Sequence, residues 1–445
     1  MSLLGNLPGA RVSKCEDITL DQEERADAKV SSTDARTTRN GTSARRQHRV
    51  ASPQSALSTI SARPVAAVKA TAPVFTSLDM INARTGFATG LYRDRYGFWA
   101  TDDGGIHWHR RQIANLPEPS SLAASPVLYF EKVNQGWIAW IHGRSVGRSG
   151  SAGFHSIKTL TILHTQDGGR HWSVHRQHVL AAMSEVEQID FVGHNGWIRV
   201  FSGGVMNQGD TGIYHTTNNG HSWILASAAA GYVPNPVSTP DALPTVDAPM
   251  PMTFTNANDG WVAVSSPIAE TYATLYHSTS AGRRWSRVPL PLPPDIQHKA
   301  YATTEFQPAF AGSQASVLVQ FQGGSHGKVV DYRTQDGGKQ WTFGPSFELN
   351  ASAYRLAVSA ISPTRAFVIG VNGGSFGVTK NGGDSWSNLP IAGHLKAVFD
   401  GGYQIVSFNM ISATRGWLLL DPGNQKSFAL LRTKDGGRTW GIQRW

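Results

Sequence analysis

The sequence predicts an all-β fold, a seven-bladed β-propeller whose blades are four-stranded antiparallel sheets. Two repeated motifs carry this prediction. The first is an eight-residue box of the pattern Thr-x-Asp-Gly-Gly-x-x-Trp, with copies that begin at residues 101, 165, 216, 278, 334, 379 and 433. The second is a glycine followed by an aromatic and further apolar residues, found as Gly86-Phe87, Gly136-Trp137, Gly196-Trp197, Gly260-Trp261 and Gly416-Trp417. The boxes begin 45 to 64 residues apart, and repeats of this length indicate one supersecondary unit per copy. Units of four short strands are typical of propeller blades.

Each repeat unit is predicted to run as strand, turn, Gly-aromatic strand, loop, strand, box and strand. A Gly-rich turn between two strand-forming runs indicates a hairpin. The first unit begins near Val74, the sixth has a degenerate second motif at Ala366-Phe367, and the fifth offers Ser316–Val319 in its place. The seventh unit contains all four of its strands, so the ring needs no strand exchanged from the N-terminus. A closing strand from residues 65–70 stays open as an alternative.

The polar residue at the third box position is predicted to be a turn residue. Asp and Asn side chains hydrogen-bond the amides of their own turn, the glycines that follow tolerate a positive φ angle, and the closing tryptophan packs back over the hairpin. Because Asn, or Ser280, replaces Asp in several boxes, a hydrogen-bonding role fits better than a catalytic carboxylate. The structural box residues predicted in this way are Asp103, Trp108, Asp167, Trp172, Asn218, Trp223, Trp285, Asp336, Trp341, Asn381, Trp386, Asp435 and Trp440.

The box resembles the Asp-box, or bacterial neuraminidase repeat, Ser/Thr-x-Asp-x-Gly-x-Thr-Trp. The last copy matches this pattern fully, with Thr433, Asp435, Gly437, Thr439 and Trp440. Together with the Gly-Trp strand, the pattern is most similar to the photosystem II stability/assembly factor-like propellers, which share a wider fold group with sialidases, sortilin and xyloglucanases. This resemblance implies a bacterial, extracytoplasmic propeller that binds other proteins and whose boxes sit away from the ligand face.

Residues 1–73 are predicted to form a disordered tail or linker before a propeller domain at residues 74–445. The stretch Lys29–Arg49 holds Ser, Thr, Arg and Ala with almost no large apolar residue to bury. No apolar run has the length of a signal peptide or of a membrane span. The expected extracytoplasmic location therefore rests on the resemblance, and a cytoplasmic one stays open. The single cysteine, Cys15, excludes an internal disulfide framework.

The long insertions are predicted to meet on one face of the ring. Each box joins the third and fourth strands of a blade, so the loops between strands two and three, and those between blades, lie on the opposite face. Loops on a rigid scaffold are where binding sites concentrate. The candidate ligand-face residues in these loops are Arg93, Arg95, Arg144, Arg148, Tyr232, His298, Lys299, Tyr301, His394 and Lys396. Their charges predict an acidic protein segment or an anionic glycan as the partner.

The residues predict no catalytic, cofactor or metal site. The Arg-Ile-Pro signature of sialidases is absent, and no pair of histidines at ligand spacing is predicted to hold a metal together with an acid partner. A glycosidase of the inverting kind needs two facing carboxylates, whereas the acids outside the boxes are scattered. Glu185, Glu187 and Asp190 share one strand segment and are expected to face solvent, and Glu305 stands alone.

The sequence-based expectation is a non-enzymatic, monomeric binding or scaffold propeller that engages a protein or an anionic ligand. The formal net charge of +9 divides unevenly by length, with +4 on residues 1–73 and +5 on the propeller, and no basic stripe is present, so no nucleic-acid partner is expected. The alternative is a glycoside hydrolase of the sialidase or xyloglucanase kind, or a carbohydrate-binding propeller. A pair of buried or half-buried carboxylates on the loop-bearing face would favour that alternative.

Overall fold

The structure is a computed structural model that describes residues 73–114, 116–118, 125–146, 155–180, 183–202, 209–230, 237–245, 250–265, 273–296, 302–323, 326–349, 356–370, 374–423 and 428–443. The predicted N-terminal tail, apart from Pro73, lies outside these residues, as does the alternative closing strand at 65–70.

The described strands form seven separate antiparallel sheets, which confirms the predicted seven-bladed propeller. Blade 1 contains β1 (Val74–Met80), β2 (Gly86–Tyr92), β3 (Arg95–Thr101) and β4 (His109–Arg111). Blade 2 contains β5 (Val127–Phe130), β6 (Gly136–Val146), β7 (His155–Thr165) and β8 (Ser173–Val179). Blade 3 contains β9 (Glu185–Val192), β10 (Asn195–Ser202), β11 (Asp210–Thr216), β12 (Ile224–Ala230) and an added fifth strand, β13 (Val237–Ser238).

The remaining blades follow the same order, with one irregular member. Blade 4 contains β14 (Met252–Phe254), β15 (Gly260–Val264), β16 (Thr274–Ser278) and β17 (Ser286–Pro289). In blade 5, β18 (Ala302–Glu305) and β19 (Ala309–Ala311) both pair with β20 (Gln314–Gly323), and β22 (Thr342–Phe343) and β23 (Phe347–Leu349) both pair with β21 (His326–Thr334). Blade 6 contains β24 (Leu356–Ser362), β25 (Arg365–Gly370), β26 (Phe376–Thr379) and β27 (Trp386–Asn388). Blade 7 contains β28 (Gln404–Met410), β29 (Gly416–Asp421), β30 (Ala429–Thr433) and β31 (Gly441–Gln443).

The first strand of each blade lies innermost, and the ring closes between the first and last blades. Strand β1 contacts β5 on one side and β28 on the other. Blade 7 forms all four of its strands from its own sequence, as expected. At the closure, the indole Nε1 of Trp417 donates to the Gly104 carbonyl in the box of blade 1, at 3.0 Å. Side-chain contacts of this kind, rather than an exchanged strand, therefore join the described ends of the ring.

The aromatic residue on the second strand of a blade packs against the next blade. Trp197 is fully buried and stacks on Phe254 with ring centroids 3.6 Å apart. Its Nε1 donates to the Ala281 carbonyl in the box of blade 4 at 3.0 Å. Trp137 repeats the stack on Phe191, also at 3.6 Å. The Gly-aromatic motif thus joins neighbouring blades, because one ring contributes both apolar packing and a hydrogen bond to the following box.

Blade 5 departs from this pattern where its sequence departs from the motif. Ser316 takes the place of the aromatic and pairs with Arg333 on β21. Asp331, two residues earlier on β21, is buried beside the box of blade 6, where a Cβ added to Gly383 would lie 2.5 Å from its own Cβ. At the position of the motif aromatic, the junction between blades 5 and 6 therefore carries polar side chains, whereas blades 2 and 3 stack Trp137 on Phe191 there.

One helix, α1 (Gly393–Asp400), connects blades 6 and 7. The sequence analysis treated this stretch as a loop, so the helix is an addition to the all-β expectation. Leu395 and Val398 on one side of α1 are buried in the core between these blades. Ala392 at its N-cap makes no side-chain capping bond, so burial of this apolar stripe holds the helix in place.

Candidate functional site

The two ends of the blades carry different connections. In blade 1 the pair Gly86–Thr101 lies next to the box, and the pair Tyr92–Arg95 lies at the opposite end of the same two strands. We call the first the box end and the second the loop end. The connections between second and third strands, and those between blades, belong to the loop end.

The box carboxylates at the box end are used inside their own turns. Asp103 accepts the amides of Ile106 and His107, each at 3.0 Å, and the hydroxyl of Thr101 at 2.9 Å. Desolvation acts to raise the pKa of Asp103, but the hydrogen bonds from His107, Thr101 and Ile106 outweigh it and lower the pKa to about 2. Asn218 accepts the Ser222 amide through its side-chain oxygen at 3.0 Å without carrying any charge. These hydrogen bonds hold the turn of the box together, which is a structural role for the box carboxylates.

Two predicted ligand-face arginines sit at the tip of the β2–β3 hairpin. Arg93 and Arg95 are exposed, and Arg93 and Asp94 form the turn with φ angles of 51° and 58°. The Arg93 guanidinium carbon lies 5.2 Å from the ring centroid of Tyr92. Arg110 on β4, which the sequence analysis did not select, lies 5.5 Å from the same ring. The fold thus brings together two arginines that are far apart in sequence.

The other predicted residues are distributed as follows. Arg144 is exposed near the far end of the long β6–β7 hairpin. His394 and Lys396 lie on α1, where His394 Nδ1 is 3.2 Å from the Trp440 carbonyl and Lys396 pairs with Asp400 at 2.7 Å. The remaining five lie outside the described residues: Arg148, Tyr232, His298, Lys299 and Tyr301.

A group of charged residues that the sequence analysis expected to face solvent is half-buried at the loop end of blade 3. Glu185 and Glu187 are both half-buried on the innermost strand β9. The Glu187 carboxylate forms an ion pair with Arg199 of β10, whose side chain is only 2% exposed. Burial lowers the pKa of Arg199, and the nearby charge of Glu185 opposes that shift. The expectation for these glutamates fails because the alternation of β9 is interrupted.

That interruption is a β-bulge. The pairing of β9 with β10 runs from Gln188–Arg199 directly to Val186–Val200, which leaves Glu187 as the extra residue. The pairing of β1 with β2 skips Thr76 in the same manner. A bulge adds one residue and re-aims the side chains around it. The bulge therefore belongs to the architecture of the inner strands, and in blade 3 the residue that it re-aims is a carboxylate.

The inner strands also contain acids with a structural role. Asp79 Oδ2 accepts the amide of Phe130 from the next blade at 2.9 Å, and Asp190 Oδ2 accepts the amide of Phe254 at 2.7 Å. Burial raises the pKa of Asp79 to about 7, against the opposing effect of the Phe130 hydrogen bond. Desolvation likewise raises the pKa of Asp190 to about 7. Each of these acids joins two neighbouring inner strands.

Among the described residues, no group of three or more His, Cys, Asp or Glu side chains is placed to hold a metal ion. In the same part of the chain, no helix is long and apolar enough to cross a membrane.

Several solved propeller structures are similar to this chain over most of its length. An ulvan lyase shares 10% identity at a TM-score of 0.40, over 84% of this chain and 95% of its own. The NanB sialidase of Streptococcus pneumoniae shares 9% identity at a TM-score of 0.36, over 84% of each chain. An α-L-arabinofuranosidase of Fusarium graminearum shares 14% identity at a TM-score of 0.36, over 69% of this chain and 90% of its own. No protein-family model matches the chain, and no curated protein matches it.

These comparisons correct the expectation that the chain is not an enzyme. The solved structures that it resembles include a lyase, a sialidase and an arabinofuranosidase, which are enzymes. The shared feature is the propeller fold, and at this level of identity a shared fold does not indicate which reaction a protein catalyses. The likeness to photosystem II assembly factors receives no support from a family model.

Proposed function

We propose that this propeller cleaves glycosidic bonds of a carbohydrate bound at its loop end. The observation that carries the proposal is the half-buried pair Glu185 and Glu187 on the innermost strand of blade 3, with Arg199 bound to Glu187. Paired carboxylates on the loop-bearing face are the feature that favours a glycosidase over a protein-binding scaffold. Strand β9 is the inner edge strand of its blade, so both glutamates lie on the strand nearest the axis of the ring.

The chemistry of glycoside hydrolysis fits such a pair. One carboxyl group protonates the oxygen of the leaving sugar, and the other carboxylate acts as base or nucleophile at the anomeric carbon. Water supplies the hydroxyl group to that carbon, and the C–O bond to the leaving sugar breaks. Arg199 gives Glu187 a cationic partner and holds it in place, which suits the role of the carboxylate that stays ionised. Glu185 is the remaining carboxyl group of the pair and takes the role of proton donor, although its charge also acts on Arg199.

The setting is consistent with a polymeric, anionic substrate. Exposed Arg93, Arg95 and Arg144 lie at the same end of the blades as the two glutamates. Arginines suit the carboxylate and sulfate groups of such polymers. An extracytoplasmic location, expected from the Asp-box resemblance, would bring the protein to these substrates.

A cleavage assay with matched variants tests the proposal. The full chain is incubated with a sialoside, a xyloglucan and both sulfated and uronic polysaccharides, and new reducing ends are measured. Activity on one substrate should fall by roughly 10²–10⁴-fold in Glu187→Gln and in Glu185→Gln. Glu118→Gln makes the same chemical change at an exposed residue between blades 1 and 2 and should leave the rate unchanged. Equal rates in Glu187→Gln and the unaltered chain would remove blade 3 from the mechanism.

A further inference from the structure

Blade 1 holds two arginines on an aromatic surface at its loop end. The Arg93 and Arg110 guanidinium carbons lie 5.2 Å and 5.5 Å from the Tyr92 ring centroid, so both guanidinium groups contact one ring. Arg110 also lies 5.9 Å from the ring of Trp99, which is 4% exposed. Both arginines are exposed and Tyr92 is half-buried. The cations therefore face solvent while the rings beneath them are fixed in the blade.

The backbone of blade 1 is shaped to build this surface. A Cβ on Gly97 would lie 2.5 Å from the Trp99 ring. This ring can therefore lie over residue 97 of its own strand only because that residue is a glycine. The hairpin turn places Arg93 and Asp94 at φ angles of 51° and 58°, a region that such residues seldom adopt. This turn sets the Arg93 side chain beside Tyr92. Trp99 and Arg110 are directly paired across β3 and β4.

The positive charges of this group are not neutralised by any described residue. In the described part of the chain, no carboxylate lies within salt-bridge distance of Arg93, Arg95 or Arg110. Some other exposed cations of the described chain do have such a partner, as in the Lys396–Asp400 pair at 2.7 Å. Stacking on an aromatic ring favours a cation and restricts its motion. A pair of guanidinium groups that is positioned in advance and left unpaired is suited to a planar or tetrahedral oxyanion.

We propose that Arg93 and Arg110, supported by Tyr92 and Trp99, bind a sulfate or carboxylate group of an anionic polysaccharide. This inference rests on the proposed function for its choice of polymer, and it adds a binding site on blade 1 that is separate from the carboxylates of blade 3. Sulfate and carboxylate groups share negatively charged oxygens that accept N–H hydrogen bonds from guanidinium groups. The site would hold a charged substituent of the chain whose glycosidic bond is cleaved at blade 3.

Binding to three polymers with one backbone tests the site and separates the two anions. The affinity of the full chain is measured by calorimetry for dextran sulfate, carboxymethyl dextran and plain dextran. We expect binding to at least one charged polymer, and at least a tenfold loss of that affinity in the variant with Arg93→Gln and Arg110→Gln. Tyr92→Leu removes the ring without changing charge and should weaken binding at least threefold, whereas Tyr92→Phe should restore it. Unchanged thermal midpoints show that each variant is folded.

The control is an arginine at the other end of the blades. Arg438 is exposed in the box of blade 7, and Arg438→Gln should leave the affinity unchanged. An equal loss in Arg438→Gln, or no loss in the double variant, would overturn the proposal in favour of nonspecific attraction. Stronger competition by polyglutamate than by either charged dextran would overturn the assignment to polysaccharide.

The same binding measurement on Glu187→Gln separates this inference from the proposed function. Arginine-dependent binding that persists in this variant, with no cleavage by the unaltered chain, would support the anion site and refute the glycosidase. The opposite outcome is cleavage that is lost in Glu187→Gln, while the double arginine variant changes neither cleavage nor polymer binding. That outcome would support the glycosidase and refute the anion site.

Discussion

The box end and the loop end of this propeller are built by opposite rules. At the box end every blade repeats one bond, in which a box amide donates to a carbonyl in the turn between the first two strands. The seven pairs are Gly104–Arg84, Gly168–Asn134, Asn219–His194, Ala281–Asn258, Gly337–Ser313, Gly382–Thr364 and Gly436–Thr414, at 2.7 to 3.0 Å. At the loop end the described connections share neither length nor composition. The difference indicates that the repeats stabilise the ring, which leaves the loop end free to vary with the ligand.

The largest expected effect tests whether the contacts between blades at the box end carry the stability. Trp197→Ala removes a fully buried ring, its stack on Phe254 and its bond to the box of blade 4. We expect the free energy of unfolding to fall by about 3–5 kcal/mol, measured by urea denaturation with circular dichroism.

Blade 5 supplies the matched control for that change. Ser316 stands where the aromatic motif fails, and its buried hydroxyl lies beside the Asp331 carboxyl group, whose pKa it acts to lower. Ser316→Ala removes a single oxygen atom and should therefore cost on the order of 1 kcal/mol, less than the loss of a buried ring. If Trp197→Ala cost no more than Ser316→Ala, the aromatic motif would not join the blades, and the contrast between the two ends would lose its basis.

The repeated parts of the fold could be predicted from sequence because their geometry is local. A box is complete within eight residues, so Thr433–Trp440 already specifies its turn, and seven copies specify the number of blades. The loop-end sites are not local. Arg110 meets Tyr92 only because β4 lies across β3 from the hairpin, and nothing near Arg110 in the sequence indicates that contact.

The orientation of the blade 3 glutamates could not be predicted for a different physical reason. Alternation along a strand assigns side chains to faces, but one bulged residue shifts the pattern. The skipped pairing at Glu187 has no glycine or other sequence marker. Helix α1 was missed on similar grounds, since it lacks a capping side chain at Ala392 and is only eight residues long.

A second effect of intermediate size concerns the inner strands, which link the two ends. The pKa of Asp79 is about 7 in the folded protein, well above the ordinary value of a free aspartate. The folded state therefore binds this proton more tightly than the unfolded chain does, and stability falls as pH rises from about 4 to about 7. Asp79→Asn should remove that dependence, so its stabilising effect relative to the unaltered chain should be greater at pH 8 than at pH 4 by up to about 4 kcal/mol.

Blade 6 shows that a neutral group can fill the same role. Ser359 Oγ accepts the Met410 amide of the next inner strand at 2.9 Å, as Asp79 accepts that of Phe130. An asparagine at position 79 keeps an oxygen for the Phe130 amide and loses the charge. Thermal midpoints measured from pH 4 to pH 8 check this expectation. A constant difference between Asp79→Asn and the unaltered chain across that range would mean that Asp79 does not titrate as the burial indicates.

The smallest expected effect concerns the box carboxylates and has the opposite sign. Hydrogen bonds lower the pKa of Asp103 to about 2, so its contribution to stability is present above about pH 4 and is lost as pH falls toward 2. Because Asp103 lies near solvent, the charge itself should contribute less than about 1 kcal/mol after screening. Asn218 and Asn381 already accept the equivalent amides, each at 3.0 Å, in the boxes of blades 3 and 6. Asp103→Asn should therefore lower the thermal midpoint slightly at pH 7 and not at all at pH 2. A loss at pH 7 as large as that of Trp197→Ala would show that the box needs its charge, and that the box end does more than turn the chain.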